Sequence, residues 1–330
     1  MMTSKIWLQE YSNLENDKEL TCLHNNPKVI VVIVNWNGLK FLEDCFNSLK
    51  ASSYSNADVL FIDNHSSDDS IVFASQHPLK PQVLQLPRNE GFASGCNNGI
   101  RACLGKGAKY IALLNNDTRV DADWLDALVA VADSDPKIGA CGSKQLSWDG
   151  QQEVQLKYIP QWADSEMTLA NSNVTTENSE KLFVSGFSML LRTSAVTEVG
   201  AFDDRYFAGN EDLDLCLRLW IAGYSVVQVP GSRVYHRLGG SSNTKLRMRW
   251  GYRNQLYTIF KNYQVPTIRR YIPQILKRWI FTRNRFALLA SLKALLNTPS
   301  TLAMRRKIQT GRIFSDEEIF QRVGIEDFSR

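Results

Sequence analysis

Several short stretches set carboxylates, amides and an imidazole just after apolar runs, where such side chains can hold a cation, a phosphate or a proton. Leu113-Leu114-Asn115-Asn116-Asp117 ends an apolar run in a polar triplet. A carboxylate at Asp117 suits a divalent cation that bridges phosphates, the hard-oxygen arrangement Mg or Mn prefers. It would equally serve as the cap of a helix starting near Asp121. Gly209-Asn210-Glu211-Asp212-Leu213-Asp214-Leu215 opens a helix on adjacent acids. Near a low-dielectric cleft one of them can take a proton from an incoming hydroxyl; in water both are partners of the helix dipole. Val234-Tyr235-His236-Arg237-Leu238-Gly239-Gly240-Ser241 carries one of four histidines. Its imidazole is either a second metal ligand or a hydrogen-bonded loop residue.

Two further stretches have the chemistry of nucleotide binding. One apolar run ends in Asn35-Trp36-Asn37-Gly38 and the next in Asp63-Asn64. Asp63 can accept from a ribose or a base N–H, or it can be an ordinary turn residue. Arg88-Asn89-Glu90-Gly91-Phe92-Ala93-Ser94-Gly95-Cys96-Asn97-Asn98-Gly99 follows a strand and begins a helix. Gly91 and Gly95 let a backbone approach a ligand closely, while a helix N-terminus and Arg88 favour negative charge.

Strands at Val29–Val34, Val59–Ile62, Val83–Leu86, Tyr110–Leu114 and Ile138–Cys141 must deliver these groups. Between them, Leu39, Leu42, Phe46 and Leu49, and then Trp124, Leu125, Leu128 and Val131, carry helical spacing, with Ser66 and Asp121 expected as N-caps. A doubly wound, mostly parallel α/β sheet flanked by helices follows, with ligands at the carboxyl ends of its strands. After Gly142 the pattern is irregular as far as the apolar stretch Phe183–Leu191. A helix is then expected over about Asp212–Ala222 and a strand over Val226–Val229. From Lys245 onward the spacing is helical and basic, with breaks expected at Pro266, Pro273 and Pro299.

Of the 330 residues 44% are hydrophobic and 22% charged, which bounds the chain as globular. The six cysteines are scattered without a CxxC pair, which excludes a zinc ribbon and argues for a reducing cytosol. Neither an export signal nor a spanning helix is visible, so a cytoplasmic protein, peripheral at most on the inner face of the membrane, is expected. Charge is segregated: 19 of the 38 Lys and Arg residues, and none of the 34 acids, lie between Leu215 and Ser315. Amphipathic helices packed on the rest with a solvated basic face account for this. So does attraction to an anionic membrane surface, since Arg269, Arg270, Lys277, Arg278, Arg283 and Arg285 interleave with Trp279, Phe281 and Phe286. No nucleic-acid module accompanies the charge, so no nucleic-acid partner is expected.

The order VIVNWNG, IDNHSSDDS, NEGFASGCNNGI, LLNNDTRV, GFSMLLR, GAFDDRYFAGNEDLDLCLR and VYHRLGGS, from about Val29 to Tyr263, resembles family 2 glycosyltransferases of the GT-A fold, in their bacterial rhamnosyltransferase-like branch. The resemblance implies base contacts of a nucleotide-sugar donor at Asn35 and Asp63. It implies further donor contacts at Arg88, Asn89, Gly91, Gly95 and Asn97 and along Asn115-Asn116-Asp117. It also implies Mn or Mg on Asp117 with His236 as second ligand, and Asp212 as catalytic base with Glu211 as the alternative. The motif named Asp-x-Asp in this fold here has one carboxylate, so phosphates, water and the histidine must complete the coordination shell. The implied reaction inverts the sugar, L-rhamnose from dTDP-rhamnose first and a UDP-sugar next, onto a hydroxyl of a saccharide or lipid-linked acceptor in cell-surface polysaccharide synthesis. The expected layout is a polar segment 1–26, a catalytic domain 27–244 with its donor half at about 27–143 and acceptor half at about 144–244, and a basic helical region 245–330. A dehydrogenase or P-loop reading fails because Gly105-Lys106-Gly107 lacks the required context. A non-catalytic binding protein would have no need of Asp117, Asp212 and His236 together.

Overall fold

Val29–Asn35 (β1) is apolar as far as Val34 and buried on both faces, which a sheet provides only at its centre. It lies parallel to β2 (Ala57–Asp63), which in turn lies parallel to β3 (Gln82–Gln85); on its other side β1 is parallel to β4 (Tyr110–Asn115). The crossovers are α1 (Leu39–Lys50), α2 (Ser70–Gln76) and α3 (Gly91–Cys103). On α1 the buried Leu42, Cys45, Phe46 and Leu49 form one stripe at helical spacing. Alternate strand residues point to opposite faces, which creates two cores. Val29, Val31 and Ile33 meet Leu42, Phe46 and Trp124; Ile30 and Val32 meet Ile100, Leu213 and Leu217.

The computed structural model describes residues 26–159, 164–172, 176–207, 209–237, 244–281 and 298–325. Residues 1–25 of the polar segment, Leu238 to Ser241, and Arg283, Arg285 and Phe286 lie outside these, as do the side chains of Arg278, Trp279 and Phe281.

The chain continues through β5 (Thr118–Val120), α4 (Trp124–Ser134), β6 (Ile138–Leu146), β7 (Gln152–Ile159), β8 (Asp164–Asn171), β9 (Ser179–Glu180), β10 (Ser188–Arg192), α5 (Thr193–Val199), α6 (Glu211–Ile221) and β11 (Ser225–His236). Helices α7 (Thr244–Asn262), α8 (Val265–Phe281), α9 (Thr298–Thr310) and α10 (Asp316–Arg322) follow. The sheet runs β3-β2-β1-β4-β10-β6-β11-β5, with β7 and β8 attached as a hairpin beside β6 and β9 beside β11. The fold is mixed α/β with a central, mostly parallel sheet flanked by helices.

Within this mostly parallel sheet, strand β10 is antiparallel to both β4 and β6; a strand buried on both faces carries no hydropathic sign of its direction. Three local expectations need correction. The region after Gly142 is not irregular, because β6 runs to Leu146 and β7 and β8 follow. Their exposed Leu156, Met167 and Leu169 blur the alternation that would mark them. Ser66 and Asp121 are not caps: the flanking residues are Asp69 and Asp123. Pro273 does not break α8, whose buried Thr267, Tyr271 and Ile275 hold it against the body, and Pro266 and Pro299 sit in first turns, where the missing N–H has no partner to lose.

Part of the basic C-terminal charge is structural. Arg305 donates to the carbonyls of Phe260 and Tyr263, Gln309 to those of Lys261 and Asn262, and Arg312 to that of Asn262, which satisfies the open end of α7. Among the described residues no helix is long and apolar enough to cross a membrane.

Candidate active site at the carboxyl ends of β1, β2 and β4

Register puts Asn35 level with Asp63, and Val34 level with Asn115, so three strands end in polar residues at one height. Asn35 joins them. Its Oδ1 accepts from Asn116 Nδ2 at 2.6 Å, and its Nδ2 donates to Ser66 Oγ at 3.1 Å and to Asp63 Oδ1 at 3.5 Å. Asp63 Oδ2 accepts from the Ser66 N–H at 2.9 Å, and both Asn35 and Asp63 are fully buried. Ser66 thus closes a turn at the site instead of capping a helix. Gly38 is required here: a Cβ would stand 2.1 Å from Asn116 Nδ2 and 2.3 Å from Asn35 Oδ1.

Sequence reasoning assigned nothing to Trp36, which projects from this turn with 53% of its surface exposed. The turn is rigid. Asn37 has φ 50°, its N–H donates to Ser66 Oγ, its Oδ1 accepts from the Ser67 N–H at 2.7 Å, and the Leu39 N–H donates to Asp68. A large apolar ring held out in water beside a polar cluster was the available signal.

The expected donor loop divides. Asn64 binds it through two adjacent residues, accepting from the Glu90 N–H and donating to the Gly91 carbonyl, and Asn89 Oδ1 accepts from the Gly91 N–H. The close approaches that Gly91 and Gly95 permit are to protein: a Cβ on Gly91, at φ +84°, would lie 2.7 Å from the Phe207 carbonyl oxygen, and one on Gly95 2.7 Å from Val34. Asn97 is spent on Phe202 and Asp204, while Arg88 is turned to solvent beside Glu90. These residues frame the loop by contacts within the protein.

At the end of β4, Asp117 leads into β5, so it is not the cap of α4. Its Oδ1 lies 3.0 Å from His236 Nε2, brought back by the β11–β5 pairing of His236 with Thr118. Phe187 stacks on the imidazole at 5.3 Å and 14°, and Gln145 Nε2 is 2.8 Å from Nδ1. Two donor atoms 3.0 Å apart span about one edge of an octahedron whose bonds are ~2.1 Å, the Mg-like bond length. With the Gln145 amide nitrogen on Nδ1, Nε2 carries the proton donated to Asp117. A cation in place of that proton leaves Nδ1 protonated, and turning the Gln145 amide over presents Oε1 to it. Among the described residues no group of three or more His, Cys, Asp or Glu could hold a metal. The pair therefore fits a cation whose remaining positions come from phosphate and water.

Asp212, in the first turn of α6, accepts from the Gly186 N–H at 3.2 Å and the Leu213 N–H at 2.8 Å. Desolvation raises its pKa above the usual carboxylate range against the pull of those donors. The adjacent Glu211 is buried. Gly186 and Phe187 connect the parts: Gly186 holds Asp212 and faces the Phe92 ring, while Phe187 stacks on His236 and its carbonyl accepts from the Asn115 N–H.

Below α6 lies an ion network that the sequence did not reveal. Lys261, fully buried, contacts Asp203 at 2.5 Å and Asp214 at 2.8 Å; Arg218 binds Asp214, and Arg205 grips Asp203 through two nitrogens. Burial alone would raise both carboxyl pKa values, but the adjoining cations hold them below the usual range. Asn254, Thr258, Lys261 and Asn262, all buried, form a polar stripe on α7, the one signal available in the sequence.

Residues 30–200 match the family described as Glycosyl transferase family 2. The chain is 30% identical over 236 residues to the N-acetylglucosaminyl-diphospho-decaprenol L-rhamnosyltransferase of Mycobacterium tuberculosis, covering 64% of this chain and 76% of that protein. It is 26% identical over 222 residues to the dTDP-rhamnosyl transferase RfbF of Shigella flexneri, covering 66% and 71%. Its fold is similar to that of GalNAc-T7, solved with UDP, GalNAc and Mn2+, with a TM-score of 0.67 at 17% identity, over 91% of this chain and 57% of that one. The chain thus spans little more than half the length of that structure. With the family matched over half its length and the strand-end cluster in place, the chain belongs to glycosyltransferase family 2 and is a glycosyltransferase of the GT-A fold.

Proposed function

We propose that the chain transfers a hexose, L-rhamnose from dTDP-rhamnose first and a UDP-sugar next, to a hydroxyl of a saccharide or lipid-linked acceptor in cell-surface polysaccharide synthesis, with inversion. The observation that carries this is the Gly186-Phe187 pair, which ties Asp212 to the Asp117–His236 pair through two adjacent residues. Similarity to two rhamnosyltransferases supports the choice of sugar.

On this reading residues 27–143 hold the donor and 144–244 face the acceptor. The nucleobase stacks on Trp36, and its ring N–H reaches Asp63 by displacing the Asn35 amide, whose 3.5 Å contact is the longest of that cluster. Asn115, Asn116 and the loop from Arg88 to Asn97 border the diphosphate, with the N-terminus of α3 favouring its charge. Asp117 and His236 would hold Mn or Mg, which when bound offsets the charge on the departing diphosphate. Asp212 takes the proton of the acceptor hydroxyl as its oxygen bonds to the anomeric carbon, opposite the leaving group. Its raised pKa makes it a stronger base than a solvated aspartate. Glu211 is the second choice because it lies deeper.

The test is donor hydrolysis by purified protein with Mn or Mg across dTDP-, UDP- and GDP-sugars, following nucleoside diphosphate release. Release from dTDP-rhamnose that is lost in Asp117→Ala and on chelation supports the reading; release from another donor alone reassigns the sugar.

A further inference from the structure

Between Leu215 and Ser315 stand 19 basic residues and no acid, and the structure divides them. Arg218, Lys261, Arg305 and Arg312 turn inward onto carboxylates and carbonyls. Arg269 on α8 and Arg306 and Lys307 on α9 point outward, and none of these three forms an ion pair among the described residues.

The outward faces are also apolar. On α8 the exposed Val265, Arg269, Pro273 and Leu276 form one stripe, with Val265 48% and Leu276 42% exposed. On α9 the inner side is fixed by Arg205, which bonds Ser300 and Thr301, so that Leu302, 56% exposed, and Arg306 lie on the outer side one turn apart. A groove of ≈ 430 Å³ lined by Val265, Pro266, Leu302, Arg305 and Arg306, among others, joins the two helices.

We propose that this outward face of α8 and α9 is a docking surface for an anionic lipid bilayer. Neither property alone selects that partner. A solvated basic face has no use for half-exposed valine and leucine side chains, and a nucleic acid would leave them in water. The boundary between headgroups and acyl chains accepts both: leucine and valine enter the apolar side, while Arg and Lys keep their charge among lipid phosphates. The groove gives an acyl segment or a headgroup phosphate a place to seat. This goes beyond the transferase reading and does not depend on it, because vesicle binding is measured without donor or acceptor.

The experiment is flotation of the full chain with vesicles of phosphatidylcholine alone and of phosphatidylcholine with phosphatidylglycerol, at low and high salt. Binding to the anionic vesicles only, weakened by salt, is expected. The Arg269→Gln/Arg306→Gln/Lys307→Gln variant should partition on the order of 100-fold less, at about a fivefold loss per charge. Leu302→Asp should also bind less, through lost insertion. Both variants should keep the thermal midpoint and donor hydrolysis of the unchanged protein, since neither touches the strand-end cluster. Equal binding to both vesicle types, no binding to either, or anionic binding indifferent to the triple substitution overturns the proposal. Retention on RNA with no vesicle binding would also overturn it and give the surface to a polyanion.

Discussion

Asp117 Oδ1 and His236 Nε2 stand 3.0 Å apart although 119 residues separate them along the chain. The pairing depends on three residues of β5 returning beside the end of β11. If these two atoms share a cation, His236→Ala should demand more Mn for half-maximal activity without abolishing turnover at saturation, whereas Asp117→Asn should lower turnover by about 100-fold or more. Gln145→Leu, which removes the partner of Nδ1, should weaken Mn activation by about 10–100-fold. Metal titrations of activity on the three variants check the order.

Asp212 connects activity and stability in opposite senses. Its pKa is raised by desolvation, so the carboxylate form needed for a base is lost at a higher pH than for an ordinary aspartate, and the acid limb of kcat should lie above about pH 4. The folded pKa above the unfolded one means the associated stability is present at low pH and lost as pH rises through the folded value. Asp212→Asn should therefore lower turnover by about 10²–10⁴-fold and raise the melting temperature at pH 7 to 8, with a smaller gain near pH 4. Thermal melts at the two pH values, beside a pH–rate profile, decide it; Glu211→Gln is the comparison.

Gly38 and Trp36 should separate binding from chemistry. A methyl group on Gly38 must push aside Asn116 and Asn35, so Gly38→Ala should raise the donor KM with a small effect on kcat. Trp36→Ala should weaken nucleoside diphosphate binding by roughly 5–150-fold, the range of ~1–3 kcal/mol for a base stacked on an aromatic ring. Donor saturation kinetics measure the first and calorimetric titration with dTDP and UDP the second, and unchanged affinity in Trp36→Ala would remove stacking from the mechanism.

Lys261 neutralises two buried carboxylates, so Lys261→Met should cost about 3–5 kcal/mol in urea unfolding. Asp203 and Asp214 have depressed folded pKa values, and the stability they lend is present above the unfolded carboxylate value near 4 and lost as pH falls through the folded values. Without Lys261 that depression shrinks, so the deficit of the variant should be largest at neutral pH and smaller below about pH 4. Adding Asp203→Asn should recover part of the loss, because one uncompensated charge is then gone.

Much of the first five-strand region was legible because each of its elements announces itself locally. Val29–Asn35 and Tyr110–Asn115 are runs apolar enough to be central strands, Leu42, Phe46 and Leu49 share one face of a helix, and Asn35, Asp63 and Asp117 stand where those strands stop. Burial periodicity and the polarity of strand ends are properties of neighbouring residues, and a sequence displays them directly. The direction of β10, the β7–β8 hairpin, the helical course through Pro273 and the network on Lys261 depend on partners far along the chain. A strand buried on both faces pairs either way round, and a buried lysine looks like a surface one until two carboxylates from other elements meet it. The sequence by itself determined which residues could do chemistry and which strands would carry them. Only the tertiary structure decided that Gly186 and Phe187 would join Asp212 to His236, because that contact exists only once β10, α6 and β11 have packed against one another.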